Sequence, residues 1–115
     1  MTGAAYRLIK KRGKEYDIRN ASGGGGRSTP SYSPDGSIIG VLESRGMPKT
    51  VTLSDGSEAE TRTEIRVVPD DQTIRPEGDA DGYPTKLDHP NDTTYRVIDR
   101  YEEDGGVIVL TVIED

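Results

Sequence analysis

The chain has 115 residues, enough for one domain and too few for two; only 30% are hydrophobic, Tyr is the only aromatic, and Phe, Trp and Cys are absent, so any core is thin and aliphatic. Lack of Cys excludes disulfides, a thiolate nucleophile and Cys-based zinc sites. Asp and Glu outnumber Lys and Arg by 21 to 15 for a net charge of −6, and an acidic, Lys-poor surface suits a salt-loving source, because a Debye length of roughly 3 Å at 1 M salt removes the self-repulsion.

Charge is unevenly placed. Residues 1–30 hold Arg7, Lys10, Lys11, Arg12, Lys14, Arg19 and Arg27 against only Glu15 and Asp17. This basic arm on an acidic body would touch nucleic acid or an acidic neighbour, with a solvated strand face as the simpler explanation. The N-terminus lacks an apolar signal core, and no run approaches the roughly 20 apolar residues of a membrane span, so no leader and no membrane are expected.

In chain order, residues 6–12 (YRLIKKR) read as the first strand and 15–19 (EYDIR) as its partner or continuation, with Gly13 as a turn or bulge. Residues 21–36 (ASGGGGRSTPSYSPDG) read as a long loop that orders only against a partner, since the composition cannot offset its own ordering entropy. Gly23, Gly24, Gly25 and Gly26, followed by Arg27, Ser28 and Thr29, invite a phosphate-loop reading, but the Gly-Lys-Ser/Thr ending and the following helix are missing. Residues 37–42 (SIIGVL) are the next apolar run, where Gly40 marks a bulge or close packing. Residues 43–62 form a second polar stretch, within which 50–53 and 59–63 can pair as a short hairpin around Ser54-Asp55-Gly56-Ser57. Residues 63–69 (TEIRVVP) read as a strand with Ile65 and Val67 on one face, closed by Pro69.

Residues 70–92 read as a third loop. Glu77, Asp79, Asp81, Gly82, Thr85 and Asp88 fall at positions one, three, five, six, nine and twelve of an EF-hand-like loop, the spacing that wraps a hard cation in oxygens. The context argues against a cation: no helical pattern flanks the loop, Pro84 takes an apolar place, and the last ligand is a short Asp. His89 is the single histidine and reads as an exposed turn residue; Ser31, Ser33 and Ser57 have no base nearby in sequence. No catalytic constellation and no cofactor are therefore expected. Residues 93–113 (TTYRVIDRYEEDGGVIVLTVI) alternate on both sides of a turn at 102–106, which predicts a β-hairpin and makes the chain mostly β.

Taken together, the basic segment YRLIKKR, the Gly-rich loop, SIIGVLES, TEIRVVP, the segment Ile74-Arg75-Pro76-Glu77-Gly78-Asp79, then YRVI and GVIVLTVI resemble in their order the head-closure (stopper) proteins of the neck of long-tailed viruses, also called head-tail connectors. The resemblance implies a small antiparallel β-barrel of about five or six strands, SH3/OB-like, with long loops at 21–36, 43–62 and 70–92. It implies a non-enzymatic virion protein that forms a ring, a hexamer, below the portal and adaptor. That ring would close the channel after packaging and receive the tail, with genomic DNA passing through without sequence-specific binding. Assembly would take place in the host cytoplasm, and the acidic composition would fit a virus of halophilic archaea. By position, Arg45, Met47, Pro48, Lys49, Glu58 and Glu60 would belong to the loop that gates the channel; an ordinary surface hairpin is the simpler reading. Gly23 to Gly26, Arg27 and Tyr32 would dock on a neighbouring ring. The alternatives are a tail-completion protein, or a small barrel binding nucleic acid through its basic first strand with Tyr6, Tyr16 and Tyr32 stacking on bases.

Overall fold

The computed structural model describes residues 4–22, 31–53, 56–68, 74–76, 83–103 and 106–115, with only the backbone of residues 4–6 and 22. Among the described residues there are one helix and six strands: α1 (Ala4–Arg12), β1 (Lys14–Ser22), β2 (Ser31–Thr52), β3 (Glu58–Val67), β4 (Lys86–Asp88), β5 (Thr94–Glu102) and β6 (Ile108–Glu114). The strands form one antiparallel sheet in the order β1-β2-β3-β6-β5-β4, and the β4–β1 pairing, Ile18 opposite Leu87, closes it into a ring. The fold is the small antiparallel barrel expected from the sequence.

Alternation builds the interior. Tyr16 and Ile18 of β1, Ile65 and Val67 of β3, Tyr95 and Val97 of β5, and Ile108, Leu110 and Val112 of β6 each sit two residues apart and point to one side of the pleat. Ile38, Leu87 and Ile74 complete this core. Tyr16 is fully buried and its hydroxyl has no hydrogen-bond partner; burial, with a smaller contribution from Tyr95, pushes its pKa up to about 12. A second cluster lies outside the ring, where Ile9 of α1 packs with Val68 and Val107 against the half-buried Ile39 and Val41.

The first segment corrects the sequence reading, because residues 4–12 are helix and not strand. Ala, Arg, Leu and Lys are good helix formers, and Lys10, Lys11 and Arg12 place positive charge on the last turn, where the helix dipole favours it. A single side chain, Ile9, anchors the helix among its described residues. Gly13 ends it, donating its N–H to the Ile9 carbonyl at 2.8 Å while its Cα lies against Ile39 and the Gly40 carbonyl. Gly40 is a site of close packing, since an added Cβ would lie 2.7 Å from Ile65 Cγ2 and 2.9 Å from Val67 Cγ1.

Parts of the expected loops are strand. Residues 31–34 pair with the end of β1, Tyr32 opposite Ala21, while residues 23–30 lie outside the described residues. Residues 43–52 and 58–62 are likewise strand, and β4 interrupts the third segment. The hairpin of β5 and β6 is as expected: Glu103 N–H donates to the Val107 carbonyl, and Gly106 takes a φ of 82° to turn the chain. A register shift between Val97 and Asp99 breaks the alternation, which is how Val97 and Ile98 are both buried.

Candidate functional site

The most distinctive surface of the molecule is where β2 leaves the ring. Ser44 is opposite Thr63 and Lys49 is opposite Thr61, so residues 45–48 bulge out against Arg62 alone. Met47 stands at this bulge with 77% of its surface exposed, the most exposed large apolar side chain described. Beyond the bulge the chains pair again from Lys49–Thr61 to Thr52–Glu58. Leu53 N–H donates to the Ser57 carbonyl and Gly56 N–H to the Leu53 carbonyl, with Gly56 at a φ of 87°. The short hairpin expected in this stretch is therefore present, as the end of a long β2–β3 arm.

The arm is tied down at its root. Lys49 Nζ lies 2.8 Å from Asp99 Oδ2 and 5.6 Å from the centre of the Tyr101 ring. Thr61 Oγ1 donates to the Val112 carbonyl at 2.7 Å, and accepts from Thr63 N–H. Val51 is buried and lines one small cleft with Ile98, the residue the β5 bulge turns outward. Nearby, Glu64 is almost wholly buried, and its Oε2 accepts from Arg45 Nη1 at 3.5 Å and from the Tyr101 hydroxyl at 3.3 Å. These contacts hold the arm to β5 and β6, so Met47 and Pro48 are presented from a braced strand rather than from a loose loop.

Of the six residues expected in a gating loop, then, Met47, Pro48, Glu58 and Glu60 are exposed, whereas Arg45 and Lys49 are engaged as arm supports. In the expected docking loop, Gly23, Gly24, Gly25, Gly26 and Arg27 lie outside the described residues. Tyr32 is described and is committed internally: its hydroxyl donates to the Pro84 carbonyl at 2.8 Å, and Lys86 Nζ sits 4.5 Å over its ring. Burial, with a smaller contribution from Asp115, raises its pKa above the ordinary phenol value.

Of the expected cation loop, Glu77, Asp79, Asp81 and Gly82 lie outside the described residues. Thr85 is fully buried, donating to Asn20 Oδ1 and accepting the Arg75 N–H. Asp88 pairs across the β1–β4 seam: Oδ1 accepts from Arg19 Nη2 at 2.9 Å and from Thr94 Oγ1 at 2.7 Å, and Oδ2 lies 2.7 Å from Arg19 Nε without hydrogen-bond alignment. Burial alone would raise its pKa; the hydrogen bonds from Arg19 and Thr94, with the charges of Arg19 and Lys86, outweigh that and hold it below the ordinary carboxylate value. Asp88 is thus the lock of the ring closure. His89 is half-buried in the following turn, its Nδ1 accepting the Asn91 N–H and its ring 5.1 Å from Tyr16 in an edge-on contact.

Of the three tyrosines expected to stack on bases, Tyr16 is in the core, Tyr32 is half-buried with its hydroxyl bonded to the Pro84 carbonyl, and the side chain of Tyr6 lies outside the described residues; the basic segment is a helix and not a strand. Comparison with family models, with curated proteins and with solved structures found no match.

One surface had no signal in the sequence. Leu8, Ile9 and Arg12 of α1 face Val41, Glu43, Arg66 and Val107 across a cleft of about 170 Å³. Arg66 at its wall is held by ion pairs to Glu43 and Glu103. Four separate segments contribute to it, and only a tertiary structure brings them together.

Proposed function

We propose that the protein is a structural, non-enzymatic connector of a tailed-virus neck, one copy of a ring that sits between portal or adaptor and tail, closes the DNA channel after packaging and serves as the platform for the tail. The observation that carries this reading is the exposed Met47 on a bulge of a braced β-arm. An apolar side chain held out on a rigid strand suits a partner surface, because little ordering entropy is lost when it docks. The resemblance of the order of its sequence segments to that of head-closure proteins supports the same reading. A thin barrel with a projecting arm buries little apolar surface by itself, and a ring of copies supplies the missing neighbours.

The test is light scattering coupled to size exclusion in molar salt, with and without portal and adaptor proteins. A discrete oligomer or a stable complex with either partner is expected. A chain that stays monomeric at every concentration and binds neither overturns the proposal.

A further inference from the structure

The cleft beside α1 and the bulge of the arm are matched in two independent ways. The cleft is largely apolar, with Leu8 48% exposed at its rim and Glu43 and Arg66 in its wall paired with each other, and the helix that borders it exposes Arg7, Lys11 and Arg12. The bulge offers the opposite set: Met47 as an apolar knob, with Glu58 and Glu60 exposed on the paired stretch of β3. The cleft reaches along β2 as far as Glu43, and Met47 lies four residues further on, roughly 13 Å at ~3.3 Å per residue, in the bulge where the β2–β3 pairing is interrupted.

We propose that copies of this chain associate head to tail, with Met47 of one copy seated in the Leu8–Val41–Val107 cleft of the next and Glu58 and Glu60 set against Lys11 and Arg12. A knob and a cleft made of different residues form a heterologous contact, the kind that repeats around a ring when the rotation closes. The flexible thioether suits a cleft of irregular shape. The inference rests on the assembly reading above and specifies which surfaces carry it.

Because the chain has no Cys, Leu8→Cys and Met47→Cys introduce its only two thiols, and peptide mapping of the oxidised product should find position 8 of one copy joined to position 47 of another rather than 8 to 8 or 47 to 47. On oxidation this double variant should form a ladder of covalent oligomers, while either single variant should stop at dimers or monomers. Charge reversal gives the second arm of the test. Lys11→Glu with Arg12→Glu, and separately Glu58→Lys with Glu60→Lys, should each lower the association constant at least tenfold at an ionic strength of about 0.15 M, where the Debye length is about 8 Å. Mixing the two variants should restore assembly, since each then offers the other a complementary surface. Restoration also shows that both variants fold. A wild-type oligomer that gives no ladder and is indifferent to both reversals overturns this inference and leaves the connector reading standing; a wild-type chain that never self-associates overturns it outright.

Discussion

Replacing Gly13 by Ala should unseat the helix from the barrel. A Cβ at this position would lie 2.5 Å from the Ile9 carbonyl oxygen, 2.6 Å from Ile39 Cγ2 and 2.9 Å from the Gly40 carbonyl oxygen. Two of these atoms are backbone, fixed by the helix and by the β1–β2 ladder, so relief requires α1 to slide rather than a rotamer to turn. Overpacking costs about 1–3 kcal/mol, and the smaller unfolded-state entropy of Ala returns about 0.4–1 kcal/mol, leaving a net loss of about 1 kcal/mol. That corresponds to a Tm lower by about 4 °C for a domain of this size. Gly40→Ala meets side chains instead, Ile65 Cγ2 and Val67 Cγ1, but both are fully buried and have little room, so a loss of about 1–2 kcal/mol is expected. Gly46→Ala is the control, having nothing within 4 Å, and should stay within about 0.5 kcal/mol of wild type. Urea denaturation followed by circular dichroism measures all three. Equal stability of the Gly13 and Gly46 variants would refute the close seating of α1, and with it the shape of the cleft it borders.

Three further perturbations separate the remaining supports. Tyr16→Phe removes a buried hydroxyl without a partner and should be neutral or stabilising by up to about 1 kcal/mol at neutral pH. Its raised pKa means that wild-type stability is complete below the unfolded value of about 10 and falls as pH rises towards about 12. The Phe variant should lose that part of the alkaline decline in a pH series of urea midpoints. Asp88→Asn should cost about 1–2 kcal/mol at pH 7 by weakening the closure of β4 on β1. Because the folded pKa is depressed, the wild-type advantage is complete above the unfolded value of about 3.9 and disappears as pH falls through the folded one, so the two proteins should converge in acid. Thr61→Val deletes the bond to the Val112 carbonyl and should lower stability by about 1 kcal/mol, with faster amide exchange at residues 49–52 than in wild type.

The parts of the fold legible in the sequence are those where side chains alternate against a buried face. Val97, Leu110 and Val112, or Ile65 and Val67, announce their strands because the core selects them. The arm was legible for a different reason, since Ser54-Asp55-Gly56-Ser57 between two Thr-rich runs is turn chemistry. What stayed hidden is strand held by backbone pairing alone. Residues 31–34 are Ser, Tyr, Ser and Pro, with Tyr32 the single large side chain among them, yet they pair with β1 because that strand offers its donors and acceptors there. β4 is three residues long and carries a single fully buried side chain, Leu87, too little for a period. The helix was misread because its short pattern contains one well-buried anchor, Ile9, beside the exposed Leu8, which fits a strand as well as a helix. The exposed half of the arm could be placed from sequence, while its bracing could not: Lys49 and Asp99 lie fifty residues apart, and their encounter depends on the register of four strands.

Image averaging of the purified protein by electron microscopy, in molar salt and at high concentration, tests the connector proposal most directly. Expected are closed rings of one subunit number, with the β2–β3 arm of each copy reaching the helix of the next. Single barrels at every concentration, or open filaments of unlimited length, would contradict it.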